Sequence, residues 1–262
     1  MKRLLLAGTV LAFGGQAWAA PAPVPFAWTG CYVGGHAGIG SGYHEFSDPG
    51  HPVGNSVAQN FAPPGGAIGF DTPYRFLGGA QVGCDLQFAT NWVFGVAGDV
   101  SWTSLNGQTT DPYFNGKNGN PITLTSKTDE LATATGRLGY AWEHYMLYGK
   151  GGAAWSRDSY TIQNLVDFGG SNCSNGGFPS FVGCNATGSE TRLGWVAGFG
   201  FEWAFAKSWS ALLEFDHYGM GSRSVPFFVP NAGPNGVTNL VDIKQRFDVI
   251  KLGINYRLGW AR

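Results

Sequence analysis

Residues Arg192 to Phe205, RLGWVAGFGFEWAF, alternate between two chemically different sides. Every odd position from Leu193 to Phe205 is apolar, while the even positions run Arg, Gly, Val, Gly, Gly, Glu, Ala. Period-two alternation marks an extended strand with one greasy face and one polar or small face. It recurs in eight segments, approximately 30–40, 74–88, 92–105, 128–142, 145–157, 191–205, 209–220 and 246–258. The gaps between them alternate strictly between long and short. Ala89-Thr90-Asn91, Glu143-His144 and Ala206-Lys207-Ser208 fill the short ones, and stretches of about twenty to thirty residues fill the long ones. A soluble sandwich has no reason to keep all its tight turns on one rim. An up-and-down membrane barrel has that form, with short periplasmic turns and long outer loops.

The tight turns set the register. If Phe88 faces Trp92, Trp142 faces Tyr145 and Phe205 faces Trp209, each hairpin brings aromatic side chains to the apolar face at one rim. With Trp203 and Tyr256 these form an aromatic girdle, since Trp and Tyr favour the boundary between headgroups and hydrocarbon. Leu193, Trp195, Phe199, Phe201, Trp203 and Phe205 then face lipid. The glycines opposite them face a crowded interior.

No later segment is apolar enough to cross a membrane as a helix, so a membrane location requires closed strands, in which every backbone group is paired. Export is indicated by the start of the chain: Lys2 and Arg3, an apolar stretch from Leu4 to Phe13, and Ala17-Trp18-Ala19 as a small-x-small cleavage site. The expected organisation is a signal peptide at 1–19, a Pro-rich leader at 20–28 and a barrel at 29–262. Without Lys2 and Arg3, 14 basic residues face 17 acidic ones, a net charge of −3 that gives no footprint for nucleic acid. With 42 glycines, 10 Trp, 10 Tyr and 19 Phe but only 13% charged residues, the composition suits the same all-β, eight-stranded antiparallel architecture.

On these registers the inward face carries Arg75, Asp85, Asp99, Arg137, Lys150, Arg192, Glu202, Glu214, Asp216, Lys251 and Arg257. Side chains roughly fill an eight-stranded barrel, so six basic and five acidic groups there must pair. Arg137 and Lys150 face each other across the Glu143-His144 hairpin and repel unless acids reach them; Glu202 and Glu214 are the expected partners. The result is a polar plug, with a narrow ion or solute pathway as the alternative.

Four cysteines fit an oxidising compartment. An antiparallel register summing to 115 sets Cys31 opposite Cys84, and Cys173 and Cys184 lie in one glycine- and asparagine-rich loop. Three pairings are formally possible, with Cys31–Cys84 and Cys173–Cys184 preferred. No Cys-x-x-Cys motif or histidine cluster suggests a metal.

The mature start PAPVPFAWTGCYVGGHAGIG and the ending IKLGINYRLGW resemble the alphaproteobacterial outer-membrane β-barrel family of porin-family and surface-antigen proteins. Trp28, Thr29, Gly30, Tyr32 and Gly34 match its start, and the resemblance covers essentially the whole mature chain. Lys251, Gly253, Tyr256 and Leu258 resemble the terminal signal read by the barrel-assembly machinery, although this chain continues to Arg262 instead of finishing on an aromatic residue. The resemblance implies the outer membrane of a Gram-negative bacterium, contact with its lipid and lipopolysaccharide, and loops presented to extracellular ligands.

Catalytic sets fare poorly. Alternation sends Asp216 and His217 to opposite faces, so they form no dyad within one strand. His44, Glu45 and His51 fall in the first loop among Pro and Gly, where solvated side chains are the default. Gly149 to Gly152 lacks a phosphate loop's Ser/Thr, and Gly34 to Gly40 precedes no helix. The expectation is a structural and surface-interacting protein without enzyme activity or cofactor, its binding specificity lying in 41–73, 106–127, 158–189 and 222–240.

Overall fold

The computed structural model describes residues 26–47, 66–115, 119–165, 184–229 and 237–258. Eight strands run β1 (Gly30–Ser47), β2 (Ala67–Phe88), β3 (Trp92–Asn115), β4 (Pro121–Trp142), β5 (Tyr145–Leu165), β6 (Cys184–Ala206), β7 (Trp209–Val229) and β8 (Val237–Leu258). Each pairs antiparallel with its sequence neighbour, and β8 closes on β1, making a closed barrel. Phe88 pairs with Trp92 and Trp142 with Tyr145, as the turn lengths require, and Cys31 pairs with Cys84 on the expected register. The third hairpin differs: a register irregularity between Ala204 and Ala206 sets Ala206, not Phe205, opposite Trp209.

The strands are 18 to 24 residues long, about twice the 9–11 residues that cross a bilayer. Most of what reads as loop is therefore strand. The outer connections shrink to 48–66, 116–120, 166–183 and 230–236. The reason lies in an inversion of polarity within each strand. On β8, Ile250, Leu252, Ile254 and Tyr256 point outward while Lys251, Asn255 and Arg257 point inward; further up, Val241, Ile243, Phe247 and Val249 point inward while Asp242, Lys244, Arg246 and Asp248 point outward. Below the inversion the oily face meets lipid, and above it the oily face meets the lumen.

The upper part is also no longer one ring. Among the described residues the ladder between β2 and β3 stops at Leu77–Thr103. That between β6 and β7 lapses between Trp195–Gly219 and a single pair, Thr187–Phe228. Two seams thus divide the upper strands into a first sheet, β3 to β6, and a second, β7, β8, β1 and β2. Phe46, Phe70, Val225, Phe227 and Ile243 of the second sheet pack on Ile122, Leu124, Tyr160 and Ile162 of the first. Phe46 meets the Tyr160 ring edge-on at 5.9 Å. The outer half is a small two-sheet sandwich with its own dry core.

Candidate functional site: the stratified lumen

Side chains fill the lumen in layers. At the periplasmic mouth Trp28, fully buried, packs with Val93, Ala141, Met146 and Ala204. Its amide donates to Gln87 Oε1 at 3.1 Å, and its carbonyl accepts from Arg257 Nη1 at 2.7 Å.

Immediately above lie two arginines and two acids. Arg137 donates Nε to Asp85 Oδ1 at 2.8 Å and Nη1 to Glu202 Oε2 at 3.2 Å. Arg257 donates Nη1 to Asp85 Oδ2 at 3.0 Å and Nη2 to Glu202 Oε1 at 3.2 Å. Ser210 and Asn255 also donate to Glu202 Oε1, at 2.5 and 3.2 Å. The group is neutral, and each carboxylate bridges both guanidiniums. Next comes a lysine–acid group: Lys150 Nζ lies 2.6 Å from Glu214 Oε1 and 3.0 Å from Asp216 Oδ2, and Lys251 Nζ 3.0 Å from Asp99 Oδ1 and 2.8 Å from Asp216 Oδ2. Tyr148 donates to Glu214 Oε2 at 2.8 Å. Between these groups a cavity of about 20 Å³ beside Tyr32, Arg137 and Lys150 has room for one water.

An apolar layer that includes Leu105, Leu131, Val196, Phe247 and Val249 separates this plug from a second polar layer. There His44 Nδ1 lies 3.0 Å from Ser126 Oγ and from Gln245 Nε2. Asp158 accepts from Thr128 at 2.5 Å and from Ser156 at 2.6 Å. Arg192 pairs with Glu190 and crosses the β6–β7 seam, donating Nη1 to the Gly221 carbonyl at 3.2 Å and to the Ile243 carbonyl at 2.8 Å. This layer lies above the lipid-facing belt. Burial moves His44 down to about 4 and Asp158 up to about 6.

Of the expected interior charges, Asp85, Asp99, Arg137, Lys150, Arg192, Glu202, Glu214, Asp216, Lys251 and Arg257 are buried inward. Glu202 reaches Arg137 and Glu214 reaches Lys150. Arg75 is the correction. It keeps the inward parity of Leu77 and pairs with Gly40, but it lies just beyond the last β2–β3 pair, Leu77–Thr103, and at that open seam it is exposed, Nε donating to Asn106 Oδ1 at 2.9 Å. His44 is likewise no loop residue: β1 continues through it and buries it completely. Asp216 and His217 do diverge, His217 turning outward to lie 2.6 Å from Asp248.

Phe88, Trp92, Trp142, Tyr145, Trp203, Phe205, Trp209 and Tyr256 all stand exposed at the periplasmic rim. Cys31 and Cys84 form a disulfide between β1 and β2. The Cys173–Cys184 pairing lies outside the described residues, because Cys173 does, and so does the expected signal peptide. On β8, Lys251 and Gly253 face the lumen while Tyr256 and Leu258 face outward. Sequence reasoning missed Asp158, Glu190 and the uncharged inward groups Tyr32, His36, Gln81 and Asn255. All sit at the inward parity of their strands, which is the signal that would have found them.

Glycine makes the plug possible at one clear point. A Cβ on Gly200 would stand 2.4 Å from Tyr148 Cζ, so the Tyr148 ring lies flat against bare backbone to reach Glu214.

The family model described as outer membrane protein beta-barrel domain matches residues 5–257. The 31 kDa outer-membrane immunogenic proteins of Brucella melitensis biotype 1 and Brucella suis biovar 1 are each 27% identical over 277 residues, covering 98% of this chain and the whole of each relative. The outer membrane protease OmpT from Escherichia coli has a similar fold, with a TM-score of 0.51 at 9% identity over 90% of this chain and 99% of that one.

Proposed function

Because the chain belongs to the outer membrane protein beta-barrel family, we propose that it is a closed outer-membrane barrel whose work is done outside the lumen, as a structural element and a surface-presented antigen. The paired charge plug carries this reading. Asp85, Arg137, Glu202 and Arg257 meet across the full width of the barrel, each almost completely buried. Trp28 closes the mouth below them. Solute passage would require breaking ion pairs whose separated members are each several kcal/mol out of their preferred environment.

The protein is exported by a signal peptide cleaved after Ala19 and inserted by the barrel-assembly machinery through the β8 ending. It sits among lipid and lipopolysaccharide and offers its outer connections to extracellular partners. The immunogenic character of the Brucella relatives fits a surface that projects beyond the lipid. No enzyme activity is assigned: the inward His44 and Asp158 are not in hydrogen-bond contact, and Asp216 and His217 occupy opposite faces.

The test is planar-bilayer recording on refolded mature protein that shows different gel mobility before and after boiling. Electrical silence is expected. Stable single-channel steps from such folded protein would overturn the plug and restore the narrow-porin alternative.

A further inference from the structure

The outward face of the first sheet, above the lipid belt, has an unusual chemistry. Gln108, Thr125, Thr161 and Thr187 pair successively across β3, β4, β5 and β6 into one row. The rows on either side, through Thr123 and Ser159, continue the pattern of hydroxyl and amide side chains. Lys127 is the only charge in these three rows, and it is ion-paired with Asp129 at 2.6 Å. Strands repeat about every 4.8 Å and same-face residues about every 6.8 Å, so the face is a regular grid of neutral donors and acceptors. The second sheet contrasts with it: Tyr43 sits between Asp71 and Arg246, and Glu45 pairs with Lys244.

Below the grid, charge reappears in the row where Glu130 lies between Trp102 and Arg157, and one row beneath it Trp155 joins the exposed Trp102 indole at the top of the lipid-facing belt. The grid is therefore continuous with the membrane interface. A glycolipid held in the outer leaflet beside Trp102 and Trp155 would send its sugars up along these rows. We infer that the outward face of the β3–β6 sheet is a docking surface for the saccharide chain of lipopolysaccharide anchored in the same leaflet. Uncharged sugar hydroxyls match the uncharged grid, the interstrand step is close to the length of one sugar unit, and the indoles below offer apolar faces on which rings stack. The inference rests on the outer-membrane reading above and adds to it the face that binds and the part of the glycolipid, its saccharide chain, that the face takes.

The test uses the full mature protein refolded in detergent micelles with purified smooth lipopolysaccharide, polysaccharide-truncated lipopolysaccharide, or lipid-free polysaccharide. The readout is the temperature at which the folded gel band is lost. Smooth lipopolysaccharide should raise it and the truncated form should not. T125E/T161E, which puts two charges on the exposed grid, should abolish the rise, while Ser222→Glu on the second sheet should keep it. An equal rise with truncated material, or a full rise in T125E/T161E, overturns the inference. A full rise with lipid-free polysaccharide overturns the commitment to a membrane-anchored ligand. Failure of the barrel reading is distinguishable, because no folded band would then form in any sample.

Discussion

Glu202→Gln tests the plug at its centre. The carboxylate is fully buried and accepts from Arg137, Arg257, Ser210 and Asn255. Glutamine keeps the volume but removes the charge, leaving two guanidiniums against Asp85 alone, with an amide N–H₂ that neither guanidinium can accept from. Removing one partner of a buried ion pair costs about 3–5 kcal/mol. With a urea slope of about 1–3 kcal/mol per M, the midpoint should fall by at least about 1 M. The assay is urea unfolding of the micelle-refolded barrel, followed by tryptophan fluorescence and by the unboiled gel band. E202Q/R257Q restores neutrality by leaving Arg137 with Asp85, and the pair should be coupled by about 1–3 kcal/mol. If E202Q unfolds within about 0.5 kcal/mol of the parent, the range of an ordinary surface change, the carboxylate is hydrated, and the dry, paired lumen is refuted.

Gly200→Ala should lower stability by about 1–3 kcal/mol through overpacking against the Tyr148 ring, read in the same urea assay. Asp158, held up to about 6, is strained when ionised, so its contribution improves as pH falls through 6 toward its ordinary value; His44, held down to about 4, loses stability as pH falls from 6.5 to 4. Each effect is worth about 3 kcal/mol and the two oppose. The parent should therefore show a nearly flat profile over this window, and Asp158→Asn one that declines toward acid; a flat D158N profile would contradict the assignment. Leu124→Ala, in the dry core of the outer sandwich, should cost about 2–5 kcal/mol. Added protease should then cut the outer halves of the strands while the lower barrel resists; uniform resistance would contradict a separate outer core.

The barrel, its order and most of its inward charges were legible because the lower strands hold one parity against lipid over about ten residues. Leu193 to Phe205 and Ile250 to Tyr256 carry that signal directly. The upper strands were not legible in the same pass, because their apolar residues change sides. Following Ile250 and Leu252 backwards along β8 leads to Asp248 and Arg246, where the apolar positions leave that parity and pass to the other at Val249. His44, Asp158 and Glu190 were lost with it. Arg75 was misplaced for a different reason: its parity is inward as counted, but the β2–β3 ladder ends just below it, and period-two counting has no way to register where a seam opens the wall to solvent. Trp28 reads as the end of a leader, and only the tertiary structure puts it beneath Arg257.

The two seams set an order of assembly. The β3–β6 sheet is contiguous in the chain and can form from neighbouring hairpins, whereas the sheet of β7, β8, β1 and β2 draws on both ends of the polypeptide. That second wall exists only once the last strand has met the first, so the exterior tower stays a half-shell until then. Its standing upright reports, at the cell surface, that the circle in the membrane below has been completed.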